Sequence, residues 1–218
     1  MSADLRTDFA SRPPRVAILI FDDVEVLDFA GPFEVFGVAR TSSRDFACEV
    51  ITVGLEKREI VARNGLRIIP HRTATDLGAV DILVVPGGFG TRRELTNPAM
   101  LDFIRTTSNA ASLTLSVCTG SLLLGAIGLL DGRSATTHRD AMEELRSLNC
   151  GANILPDARI VDNGRIVTSA GISAGIDAAL YILARLFGQP SAAETASYMQ
   201  YDWNYRSVDG ESVVKIDA

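Results

Sequence analysis

Apolar residues in this chain come in short blocks separated by stretches with helical spacing. Residues 15–21 (RVAILIF) form a near-continuous apolar run, the pattern of a parallel strand covered on both faces. Residues 27–38 then carry Phe29, Phe33, Phe36 and Gly37 on or near one helical face. A second strand is predicted at 46–53 (FACEVITV), and a hairpin at 59–61 and 66–69 around Asn64-Gly65. A buried strand at 80–85 (VDILVV) stops abruptly at Pro86-Gly87-Gly88. A helix over 98–110 follows, with proline in its first turn.

The second half repeats the alternation. A strand is predicted over 113–117, a helix directly after it over 119–127, and a short amphipathic helix over 140–148. Residues 159–161 and 166–168 read as a hairpin around Asn163-Gly164. A helix over 173–187 has Ala and Gly on one face, suited to close packing on a sheet. Gly188-Gln189-Pro190 should break it, and a last helix is expected over 191–199. Apolar strands alternating with helices imply an α/β domain with a mostly parallel sheet. Residues 1–14, polar and ending in Pro13-Pro14, read as a flexible tail, and 15–218 as one domain.

Composition narrows the function. The 218 residues carry a net charge of −6 with no basic run, which argues against a nucleic-acid partner. The longest apolar stretch, 122–130, is interrupted by two glycines and falls far short of the ~20 residues a membrane span needs. The first 15 residues contain acids and no apolar core, unlike a secretory signal. The three cysteines, Cys48, Cys118 and Cys150, are odd in number and widely spaced, which points to free thiols and a reducing cytoplasm.

Parallel sheets place ligands beyond the carboxyl ends of their strands. After the first strand comes a carboxylate-rich segment ending in Asp28. After the strand at 80–85 comes PGGFG at 86–90, and after 113–117 comes Cys118-Thr119-Gly120. The strand–Cys–helix junction resembles a nucleophile elbow, with Ser116 in place of its first glycine. There the turn would strain Cys118 and the helix start would favour its thiolate. A buried structural cysteine is the alternative, as common as catalysis. Asp28, among Val26, Leu27, Phe29 and Ala30, suits an acid or base of raised pKa, though from sequence alone a helix N-cap is the commoner role and both can hold at once. Asp22, Asp23 and Glu25 read as solvated loop charges. Backbone N–H groups of Gly87, Gly88 and Phe89, with that of Thr119, would suit an oxyanion hole, or only a tight turn. His138 would polarise the thiol or serve structurally, and His71 reads as a surface residue. No cluster with metal-ligand spacing is present, so no metal is expected.

Together these segments resemble the PfpI/ThiJ superfamily, the class I glutamine-amidotransferase-like proteins. The resemblance covers roughly 15–201. It rests on LDFAGPFEVF at 27–36, PGGFG at 86–90, SVCTGS at 116–121, GLLDGRSATTH at 128–138 and AGISAGID at 170–177. It implies a flavodoxin-like three-layer sandwich. Within the superfamily the chain is most similar to isonitrile hydratases, which add water to an isonitrile to give an N-substituted formamide without a cofactor. That similarity implies Cys118 as nucleophile, Asp28 as acid/base, Thr119 as an assisting hydroxyl, a small-molecule substrate and a homodimer. Ala30 stands where family members often have Thr, and Arg139 where they often have Trp. The same motifs occur in sensor domains of AraC-type regulators, so a stand-alone binding domain is an alternative, as is a glyoxalase or redox-sensing member. Thr119 stands where the superfamily's proteases carry His, which disfavours proteolysis.

Overall fold

The computed structural model describes residues 12–40 and 45–203, and the backbone of 213–214. The expected tail falls mostly on residues 1–11, outside the described ones. Arg12 is tied to the domain by a two-pronged ion pair with Asp81, at 2.7 and 2.8 Å.

The apolar blocks become the middle of one sheet. β1 (Arg15–Leu19), β2 (Glu49–Gly54), β6 (Ile82–Val85), β7 (Leu113–Val117), β10 (Ile160–Asp162) and β11 (Ile166–Ser169) are its main strands. β5 (Arg72–Thr73) and β12 (Val213–Val214) close its edges. The order is β12-β10-β11-β7-β6-β1-β2-β5. All neighbours run parallel except β10 with β11 and β12. Every residue of β6 and β7 is buried. The unbroken apolar run of β6 follows from helices on both faces, and β7 buries Thr114 and Ser116 along with its apolar residues.

On one face α1 (Val26–Val38), α6 (Ala174–Phe187) and α7 (Gln189–Tyr198) pack together. On the other lie α2 (Thr91–Glu94), α3 (Pro98–Ala110), α4 (Gly120–Ala126) and α5 (Met142–Ser147). α3 starts where the sequence says it should: the Asn97 side chain accepts from the Ala99 and Met100 N–H groups, and Pro98 opens the first turn. The two hairpins form as expected. β3 (Ile60–Val61) pairs antiparallel with β4 (Arg67–Ile68) around Asn64 and Gly65, both of positive φ. β10 pairs antiparallel with β11.

Some boundaries differ. The strand expected from residue 46 begins at Glu49, because Phe46 is 60% exposed and stacks instead under the Arg40 guanidinium. The last helix begins at Gln189, not 191: Gly188 alone makes the break at φ 89, and Pro190 fits the first turn, where no N–H is needed. The short strands β8 (Ser134–Ala135) and β9 (Asn153–Ile154), like β5, are too brief to leave a period in the sequence.

Candidate active site

β7, β6 and β1 are neighbours, and the chain leaves β1 toward β2 on one side and returns to β6 on the other. This reversal opens a crevice beyond their carboxyl ends. The segments after β1 and β6 are stitched together there. Glu25 N–H donates to the Gly87 carbonyl at 2.9 Å, and Val24 bridges Gly88.

Cys118 follows β7 with φ 57, the left-handed region that side-chain-bearing residues avoid. Its surroundings hold it there. Its N–H donates to the Ser169 and Ala170 carbonyls at 3.1 and 3.2 Å. Its carbonyl accepts from the Thr137 and Ser121 hydroxyls at 3.0 and 3.1 Å. Gly120 then lets α4 pass against β6: a Cβ there would stand 2.0 Å from the Val85 carbonyl oxygen. A strained residue gripped from both sides is the geometry of a nucleophile elbow.

Asp28 is not the N-cap of α1. Glu25 holds that position, and Asp28 lies in the first turn, fully buried. Its Oδ2 accepts the Gly87 N–H at 2.9 Å, and the Cys118 thiol faces the carboxyl. Its Oδ1 has no well-formed hydrogen bond among the described residues. Burial outweighs these donors and pushes the carboxyl up to about 7, with the nearby Glu25 charge adding to the rise.

The expected thiolate is not the resting form of Cys118. Burial, and then the Asp28 charge, push the thiol up to about 12, although the N–H groups of Thr119 and Ile172 are directed at the sulfur. Two N–H dipoles and a two-turn helix do not offset desolvation beside a carboxyl. The site therefore rests as a thiol beside a carboxyl that changes charge near neutrality.

Two of the N–H groups expected to form an oxyanion hole, those of Gly87 and Gly88, are already engaged. That of Gly87 goes to Asp28, and that of Gly88 donates to the Thr119 hydroxyl at 2.9 Å. The Thr91 hydroxyl donates to the Gly88 carbonyl at 2.7 Å and lies 3.2 Å from the Thr119 hydroxyl. Thr91 and Thr119 are buried. These groups fix the 86–90 loop against the elbow rather than face a ligand.

A cavity of about 190 Å³ opens over Cys118 and Thr119. Gly88 and Phe89 line it, and Gly87 does not. His138 lines it too, its ring close against Gly171, where a Cβ would stand 2.1 Å from Cδ2. Its Nδ1 accepts the Asp140 N–H at 3.2 Å, and it makes no hydrogen bond to Cys118. Sequence reasoning missed Glu25, Arg63, Arg92 and Ile172, which also line the cavity. The φ of 39 at Ile172, in the AGIS segment, is a strain signal visible only in the backbone. Arg139 lies in a neighbouring depression of about 600 Å³ that shares His138 with this one. A groove of about 640 Å³ beside Leu77 and Phe103 holds no nucleophile.

The other sequence candidates lie elsewhere. Cys48 is buried, with its thiol pushed up to about 12 by burial, and Cys150 is half-buried beside α4. His71 is exposed and bonds through Nδ1 to Thr52. Among the described residues no three His, Cys, Asp or Glu side chains are placed to hold a metal, and no helix is long and apolar enough to cross a membrane.

The profile of the DJ-1/PfpI family matches residues 14–185. Isonitrile hydratase from Pseudomonas putida is 36% identical over 191 residues, which cover 88% of this chain and 78% of that one. The HTH-type transcriptional regulator GbdR of Pseudomonas aeruginosa is 26% identical over 87% of this chain, which spans 51% of the regulator. The crystal structure of a ThiJ/PfpI family protein from Pseudomonas syringae superposes with a TM-score of 0.78 at 31% identity, covering 91% of this chain and 79% of that one. Drosophila melanogaster DJ-1beta, at 19% identity and a TM-score of 0.76, shares the fold.

Proposed function

The chain belongs to the DJ-1/PfpI family, and from that premise we propose that it is a cysteine-dependent hydratase that converts a small isonitrile to an N-substituted formamide. The observation that carries this reading is the buried Asp28–Cys118 pair under the cavity, with the carboxyl at about 7. An isonitrile carbon must gain both a proton and a nucleophile, and this pair can supply both.

Protonated Asp28 gives its proton to the terminal carbon. It recovers one from the thiol as Cys118 sulfur bonds to that carbon, leaving a thioimidate. Asp28 then protonates the imine nitrogen and takes a proton from the water that adds to the carbon. Collapse of this adduct breaks the C–S bond. The hydroxyl proton returns to sulfur through Asp28, and the formamide leaves. Water and isonitrile are consumed one for one, and both residues end as they began. Thr119, locked to Gly88 and Thr91, assists by holding the elbow against the 86–90 loop. The thiol is activated only when Asp28 takes its proton, which suits its high resting pKa.

The test compares formamide release from an aliphatic isonitrile by wild type, Cys118→Ala and Asp28→Ala. Release that needs both residues is the expected result, and turnover retained without Cys118 overturns the mechanism. A second reading, a ligand-sensing domain, draws on the regulator relative and on a thiol that is un-ionised at rest. Saturable isonitrile binding without turnover would favour it. The family resemblance further supports a homodimer, checked by sedimentation equilibrium, and the three free cysteines support a reducing cytoplasm.

A further inference from the structure

The cavity over Cys118 carries two arginines, and their charges are used differently. The Arg92 guanidinium is clamped by both carboxylate oxygens of Glu144. Arg63, half-buried at the turn between β3 and β4, has no ion pair among the described residues. Its guanidinium lies 3.8 Å over the ring of Phe89, which is 59% exposed. The turn itself is anchored, because Arg63 N–H donates to the Val24 carbonyl at 2.9 Å, directly before Glu25.

Stacking on an aromatic face fixes the plane of a guanidinium but leaves its N–H edges free. Those edges form the fork that pairs with a carboxylate. The cavity's own acids do not fill it. Asp140 is the neighbour of His138, and Glu25 sits at the start of α1, where its charge acts on Asp28. At about 190 Å³ the cavity is below the roughly 300 Å³ where drug-sized pockets begin, which suits a substrate of a few heavy atoms.

We infer that Arg63 is a specificity residue and that the electrophile delivered to Cys118 carries a carboxylate, which docks on the free edge of the Arg63–Phe89 stack. The inference deepens the hydratase reading by naming the substrate class, an isonitrile acid in place of a plain alkyl isonitrile.

Its test does not need hydratase turnover. Iodoacetate and iodoacetamide alkylate a thiol by the same displacement: the C–S bond forms, iodide leaves and the thiol proton goes to solvent. They differ in the negative charge of the first. The rates at Cys118, read by peptide mass, give an iodoacetate-to-iodoacetamide ratio for wild type and for Arg63→Gln. The expected result is a ratio at least about fivefold lower in the variant, partly restored in Arg63→Lys, with the wild-type preference weakening as salt is raised. The iodoacetamide rate serves as the internal control for an intact fold. Equal ratios in wild type and Arg63→Gln overturn the inference. Loss of the ratio in Arg63→Gln, with no hydration of isocyanoacetate or of cyclohexyl isocyanide by wild type, would overturn the proposed reaction and uphold the acid-recognising cavity.

Discussion

The backbone N–H of Gly87 reaches Oδ2 of Asp28 at 2.9 Å, and a methyl group at Gly87 would stand the same 2.9 Å from that oxygen. The same methyl would be 2.5 Å from the Thr119 nitrogen. The loop is hydrogen-bonded to the carboxyl at a distance only a residue without a side chain allows. Gly87→Ala should therefore displace Asp28 or the elbow. We expect it to lower activity by about 100-fold or more, with a stability cost of roughly 1–3 kcal/mol from overpacking. Activity within about threefold of wild type, in a variant with an unchanged melting curve, would contradict this account.

Asp28 ties stability to pH. Its folded pKa, raised from 3.8 to about 7, favours the protonated native state. Its contribution is fully present below about pH 3.8, declines as pH rises and is lost through about pH 7, where the native state must bury a charge. The loss is on the order of a few kcal/mol. Asp28→Asn, which still offers an oxygen to the Gly87 N–H, removes this dependence. Wild-type stability should fall relative to the variant between pH 4 and 7 and then run parallel to it. Denaturant midpoints across pH 4–8 check this, and curves parallel throughout would refute the buried-carboxyl reading.

In the proposed reaction Asp28 enters as an acid. The rate at saturating substrate should fall above about pH 7, following deprotonation of that carboxyl. A rate that keeps rising to pH 9 would point to the thiolate as the resting nucleophile instead.

Cys118 should behave as a reluctant thiol. With its pKa pushed from 9.0 to about 12 by burial and then by Asp28, alkylation by iodoacetamide should climb steadily from pH 7 to 10 without levelling near 9. Asp28→Asn removes the neighbouring charge and should speed alkylation at every pH above about 7. Stopped-time mass analysis of the Cys118 peptide reads both effects, and a plateau near pH 9 in wild type would count against them.

Thr91 supports Thr119 from outside the cavity. Thr91→Val removes the hydroxyl that donates to the Gly88 carbonyl at 2.7 Å, its shortest bond, and leaves that acceptor the longer bonds from Arg92, Thr119 and the Thr91 N–H. A destabilisation of about 0.5–1.5 kcal/mol is expected, with a drop in kcat larger than any change in KM. Thr91→Ser keeps the hydroxyl and should restore kcat. A serine variant as impaired as the valine one would show that the methyl, not the hydroxyl, matters.

The strand blocks at β1 and β6 were legible because both strands are covered on both faces, so burial is written into consecutive residues. Cys118 and Thr119 drew notice because they stand just past a strand, and Asp28 because it sits among apolar neighbours; the structure brings the three together. Glu25 was misjudged as a solvated charge because its place at the cavity depends on the bridge between Val24 and Gly88, a contact 64 residues apart in sequence. Arg63 reaches the site only because its hairpin folds back onto Val24. Ile172 enters through a backbone conformation that its side chain would not suggest. The ionisation of Cys118 was misread for an energetic reason. Helix position is visible in sequence, whereas the depth of burial that overrides it is a property of the packed state.

In the proposed reaction the left-handed turn at Cys118 sets activity against durability. Glycine would occupy φ 57 without strain, relieving a cost of about 1 kcal/mol or more, while removing the sulfur. Variants enriched for heat tolerance alone are therefore expected to accumulate glycine at this position and to lose reactivity as they do so. If the proposed reaction holds, a cysteine kept at residue 118 despite that strain would mark the related chains that retain the chemistry.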